Sequence, residues 1–135
     1  MPSLCHSALM RAIADEHPEA ARALIEAGAD VKAKSKMYDQ FTPMVLTSYG
    51  SNVQVTSRGG YTPLLFAARE GCLECARTLV EGGANVNLTD PKGVTPLFLA
   101  IDNFHFDLAR YLIEKGANPN KWDWWGRTPL YSAVD

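Results

Sequence analysis

Three things are scarce in this chain: cysteine, charge of one sign, and unbroken apolar sequence. Three cysteines in 135 residues cannot build a multi-disulfide framework. A scaffold stapled for an oxidising compartment is therefore not expected, and the count leans toward an intracellular protein. The 13 Lys and Arg against 15 Asp and Glu leave a net charge of −2. That balance lacks the basic excess of a nucleic-acid binder or of a protein drawn to an anionic membrane. No apolar run approaches the roughly 20 residues that cross a bilayer. Met1-Pro2-Ser3-Leu4-Cys5-His6 has no basic stretch leading into an apolar one, so no signal peptide is expected. His6, His17 and His105 are scattered, and Cys72-Leu73-Glu74-Cys75 has no second CxxC or HxxxH beside it. A four-ligand zinc site is therefore not expected; between a redox pair and a core cysteine plus a loop cysteine, the sequence favours the second. No Gly-rich phosphate loop follows a strand, and no Ser-His-Asp order marks a nucleophile, so neither a cofactor nor an enzyme activity is expected. Asp15, Glu16, Glu70, Asp102 and Asp107 lie near helix ends, where capping and solvation explain them.

What the chain does have is a period. Thr62-Pro63-Leu64 returns as Thr95-Pro96-Leu97 and as Thr128-Pro129-Leu130, and Gly83-Ala84-Asn85 returns as Gly116-Ala117-Asn118. A fixed spacing of this length describes one small unit stacked on copies of itself. Within a unit, Thr62 can cap a helix whose first residue is Pro63, and Leu64, Ala67 and Ala68 make an apolar stripe. Gly71 can end that helix in the left-handed conformation. A second helix carries Leu73, Ala76, Leu79 and Val80 and stops at Gly82-Gly83, and residues 84–93 read as a strand-like arm and a turn. The unit is helix, turn, helix, hairpin-like finger.

These motifs resemble the ankyrin repeat family: the Thr-Pro-Leu openings, Ala67-Ala68 with Gly71, Leu79-Val80, and the Gly83-Ala84-Asn85-Val86-Asn87 exit. The next copy keeps the frame through Ile101, Leu112-Ile113 and Gly116-Ala117-Asn118-Pro119-Asn120. A degenerate first copy places Ser7-Ala8-Leu9, Leu24-Ile25 and Gly28-Ala29-Asp30 in the same frame, with Pro18 opening its second helix. The resemblance implies an all-α solenoid of helix-turn-helix units with fingers. It forms one domain: a first repeat at about 3–35, an irregular stretch at 36–59, repeats at 60–92 and 93–125, and a truncated one at 126–135. The chain departs from the family where Leu65, Phe98 and Tyr131 hold the usual histidine position, and where Glu16 and Phe104 replace the helix-ending glycine. Eight residues of a last repeat are marginal alone, so a longer array is expected.

The spacing from Gly28 to Thr62 exceeds that of the other copies by a long insertion. Either Thr42-Pro43-Met44 opens a repeat that has lost its second helix, or residues 36–59 are an elongated finger. The residues favour the finger. Val45, Thr47, Tyr49, Val53, Val55 and Thr56 suit strands, Val53-Gln54-Val55-Thr56 alternates, and so do Lys32, Lys34 and Lys36.

The functional signal is Lys121-Trp122-Asp123-Trp124-Trp125-Gly126, which holds every tryptophan of the chain. The preceding copy has Thr89, Pro91 and Lys92 there, so the repeat does not require aromatics. Tryptophan is costly on a free surface and enriched at interface hot spots. The resemblance implies that fingers and first helices form the concave face that contacts partners. The candidate contacts are Trp122, Trp124 and Trp125, then Phe66, Arg69, Leu99, Asp102 and Asn103 from first helices, and Tyr38 and Phe41 in the long finger beside Tyr49 and Tyr61. The expected function is a non-catalytic protein-interaction module for another protein or peptide. The competing reading is a structural spacer or regulatory array, with its tryptophans packed against further repeats.

Overall fold

In the computed structural model the first helix of each pair starts at a hydroxyl cap that the sequence supplies, whereas two of the second helices start after His17 and His105 without a side-chain cap bond. The structure describes residues 7–35, 38–43, 53–123 and 126–129, with the backbone alone along 38–43 and 53–58. Helix α1 (Ala8–Ala14) follows Ser7, α3 (Pro63–Glu70) follows Thr62, and α5 (Pro96–Asp102) follows Thr95. The three hydroxyls accept the N–H groups of Met10 at 3.2 Å, Leu65 at 3.3 Å and Phe98 at 3.1 Å. Each bond satisfies one of the orphan donors of a helix start, and Pro63 and Pro96 have no N–H to satisfy. The second helices are α2 (Pro18–Glu26), α4 (Leu73–Glu81) and α6 (Phe106–Glu114). Between α2 and α3 lie the only strands among the described residues, β1 (Tyr38–Pro43) and β2 (Val53–Arg58).

The helices pack in two rows. In one, α1 touches α3 and α3 touches α5; in the other, α2 touches α4 and α4 touches α6. Leu64 and Leu97 fill the same place in successive copies, 1% and 0% exposed, and Leu79 and Leu112 are likewise closed off in the second row. Leu130 lies outside the described residues, although the backbone at Pro129 is already helical. One continuous core therefore runs between the rows from Leu9 to Ala117. Between α4 and α6, the Arg77 guanidinium carbon lies 5.6 Å from the Tyr111 ring centre.

The helix ends depart from uniformity as the sequence requires. Gly71 closes α3 at φ 80°. Glu16 and Phe104, its counterparts, take φ 57° and 64° without the freedom of glycine, a conformation that costs a side-chain-bearing residue about 1 kcal/mol. The His105 imidazole rests on Gly71, so closely that a Cβ there would come within 2.5 Å of the ring. Its Nε2–H donates to the Arg69 carbonyl at 3.2 Å.

The fingers are turns, not strands, which corrects the strand-like reading of residues 84–93 and of Lys32 and Lys34. Asn and Asp side chains divert the backbone from strand pairing by capping it locally. Asp30 Oδ1 accepts the N–H of Lys32 and Asn85 Oδ1 that of Asn87, both at 2.9 Å. At the finger tip Asp90 Oδ1 accepts from both Lys92 and Val94 at 2.9 Å, while Asp90 N–H donates to the Val94 carbonyl. Asp123 repeats this pattern with Arg127.

The same knot occurs a third time, at Ser35. Its N–H donates to the Tyr61 carbonyl at 2.9 Å, Gly60 N–H donates to the Ser35 carbonyl at 3.0 Å, and Tyr61 N–H donates to Ser35 Oγ at 3.0 Å. Ser35 thus stands for Asp90, and Gly60-Tyr61 for Gly93-Val94. Residues 36–59 occupy the place that Pro91-Lys92 fill in the next finger. Within that insertion β1 and β2 pair antiparallel, from Tyr38 opposite Arg58 to Pro43 opposite Val53. Thr42 and Pro43, which the competing reading makes a helix opening, are strand residues. Helices α1 and α2 pack directly on α3 and α4. Val45, Thr47 and Tyr49 fall outside the described residues, as does Lys36.

Candidate partner-binding surface

Helices α3 and α5 each begin directly after a finger, so the first turn of each lies next to a finger base. Arg69 lies in the last turn of α3. Its guanidinium carbon lies 5.2 Å from the Phe66 ring centre and 5.7 Å from that of Tyr61, and the two rings meet edge to face at 5.4 Å. The cation is held over two ring faces, which favours it electrostatically, and Arg69 Nε also donates to Glu70 at 3.0 Å. Arg69 and Glu70 remain partly open to solvent. Phe66 is 4% exposed, so it supports Arg69 from beneath. Tyr61, next to the hairpin base, is half-buried.

On α5, Leu99 is half-buried and Asp102 exposed, as is Asn103 at its C-cap. Asn103 turns its amide back to donate to the Leu99 carbonyl at 2.8 Å. Trp122 is 70% exposed. It stands beside Asp123, whose side chain is closed from solvent. Asp123 Oδ2 takes both Nε of Arg127 at 2.9 Å and Nη2 at 2.7 Å, and the Arg127 guanidinium carbon lies 4.9 Å from the Phe98 ring centre. Phe98, in the usual histidine position, thus packs beneath a cation on the next finger. Trp122 is carried by a finger locked at its tip. It is locked at its root too: Asn87 Oδ1 accepts the N–H of Asn118 at 2.8 Å, and Asn87 Nδ2 donates to the Gly116 carbonyl at 3.2 Å. Trp124 and Trp125 lie outside the described residues, and Tyr38 and Phe41 are placed only by their backbone in β1.

Two features depart from the reading of the sequence. One is an exposed aromatic pair at the α5–α6 turn, Phe104 and Phe106, 79% and 59% exposed with ring centres 6.3 Å apart. Their signal was present, since Phe104 sits where Gly71 sits, but it reads first as a helix-ending problem. The other is a bond between Cys72 and Cys75, which corrects the expectation of two separate cysteines. Among the described residues no cluster of His, Cys, Asp or Glu is arranged to hold a metal, and no helix is long and apolar enough to cross a membrane.

A row of stacked helix pairs joined by locked fingers defines a repeat scaffold, built to present surface. Comparison with known families agrees. A model of ankyrin repeats in three copies matches residues 33–123 and 82–135, and the single ankyrin repeat model matches residues 5–36. The chain belongs to the ankyrin repeat family. No curated protein matches it. Ankyrin repeats are in general protein-interaction modules and typically non-catalytic.

Proposed function

We propose that this array binds a protein or peptide along its fingers and first helices, with Trp122 as an anchor and Arg69 as a polar contact. The observation that carries the reading is the exposed Trp122 indole on a finger fixed at both root and tip. Such a ring loses little conformational freedom when a partner covers it, which is how aromatic anchors give affinity. Leu99, Asp102 and Asn103 would help to set which partner fits. Trp124, Trp125, Tyr38 and Phe41 extend the proposed surface along the sequence of the two fingers. The alternative of a spacer packed against further repeats predicts no affinity at this surface.

Peptides selected from a random display library on the immobilised protein provide the test. Trp122→Ala and Arg69→Ala should each weaken the selected binders at least about tenfold, the scale of a hot-spot truncation. Arg22→Ala, on α2 in the other row, should leave them unchanged. Binders indifferent to Trp122 and Arg69 but sensitive to Arg22 would overturn the reading.

A further inference from the structure

Cys72 and Cys75 sit at the N-cap and third position of α4, and we propose that they form a reversible thiol–disulfide site that exchanges with small disulfides and thiols. Their Cα atoms are 5.2 Å apart. That separation is the ordinary spacing of neighbours one turn apart on a helix, and it lies within the range a disulfide spans. The backbone of α4 therefore suits both the joined and the separate sulfurs, and exchange needs no unfolding.

The two sulfurs differ in access. Cys72 is half-buried at the turn after Gly71, whereas Cys75 is 0% exposed within the core. The Cys75 N–H points at Cys72 Sγ from 3.2 Å. With the helix N-terminus behind it, that donor favours negative charge on the entering sulfur. The bond encloses only Leu73 and Glu74, so it removes little freedom from the unfolded chain and serves poorly as a staple. Nor does the repeat call for sulfur at these places. The same positions hold His105 and Leu108 in the next copy, and His17 and Ala20 in the first.

The exchange balances with oxidised glutathione as the co-reactant. The Cys72 thiolate attacks one glutathione sulfur, breaking the glutathione disulfide and releasing one glutathione thiolate. Cys75 then gives up its proton to solvent and attacks Cys72 Sγ, releasing the second glutathione, which takes up a proton. Two protein thiols are oxidised to a disulfide and one glutathione disulfide is reduced to two thiols. A small thiol reverses the sequence by attacking Cys72 Sγ.

The test treats the folded chain, with Cys5→Ser throughout, with oxidised and then reduced glutathione, and reads intact mass after acid quench and alkylation. The pair should close and reopen while the circular dichroism stays native. Cys75→Ala should trap one glutathionyl group on Cys72. Cys72→Ser, which keeps a helix-capping hydroxyl, should acquire glutathione at least roughly tenfold more slowly, because Cys75 is closed off. A pair that stays closed to reduced glutathione until the chain unfolds, or a Cys72→Ser variant that reacts as fast as Cys75→Ala, would overturn the proposal. The wild-type cycle decides it even where a variant fails to fold.

Discussion

The α3–α4 repeat and the α5–α6 repeat have the same frame and close it with different chemistry. Both open on a threonine cap and a proline, both bury a leucine at the same point, and both tie their finger tip with an aspartate. Yet the first ends its leading helix with Gly71 under the His105 ring, and the second with the exposed and strained Phe104. The first finger holds Asp90 with backbone donors opposite Val94; the second gives Asp123 the guanidinium of Arg127. Backbone hydrogen bonds and buried leucines fix the repeat, and side chains outside that set are free to diverge.

The largest effects should come from the shared part. Leu97→Ala should cost about 3 kcal/mol in urea unfolding, since the side chain is wholly buried and its neighbours on α3 and α5 cannot close the gap. Next comes the arginine present in one repeat only. Arg127→Ala leaves the Asp123 carboxylate enclosed without its cation and uncovers Phe98. A loss of about 2 kcal/mol is expected, reduced from the fully buried case because Arg127 is itself partly exposed.

The helix ends sharpen the contrast by exchange. Gly71→Ala meets both a left-handed φ and the His105 ring and should cost about 2 kcal/mol. Phe104→Gly should gain up to about 1 kcal/mol by releasing its strain. Thermal unfolding of the two variants reads the opposite signs directly, and a gain on Gly71→Ala would show that the ring does not rest on Gly71.

Asp90 gives the smallest and most specific effect. Burial raises its carboxyl above the ordinary value of 3.8, against the Val94 and Lys92 N–H groups and the Lys92 charge, with Asp123 adding to the rise. The folded chain then holds that proton more tightly than the unfolded one. Stability from this group grows as pH falls through the raised value and is complete below the ordinary one. Asp90→Asn keeps an oxygen for both N–H groups and loses the charge. It should be at least as stable as wild type near neutral pH, with its advantage shrinking toward about pH 4.

The frame was legible because its signals are local: Thr62 and Thr95 as caps, Gly71 as a left-handed end, Leu64 and Leu97 at one period. The alternation at Val53-Gln54-Val55-Thr56 falls on strand β2. The fingers misread as strands because Asn85, Asp90 and Asp30 bind their own backbone, a competition that apolar alternation does not reveal. Lys32 and Lys34 alternate by the same accident. At the site, Trp122 stood out in sequence and is exposed in the fold. Phe66 looked like a contact and lies beneath Arg69, because helical periodicity gives the face of a residue but not which neighbours cover it.

The central claim is that this array holds its fold in one set of residues and meets its partner with another. Trp122→Ala tests it most directly, through affinity for a selected peptide and melting temperature measured on the same sample. The account predicts an affinity loss of at least about tenfold with a melting temperature within a few degrees of wild type. Unchanged affinity, or a melting temperature that falls as far as that of Leu97→Ala, would contradict it.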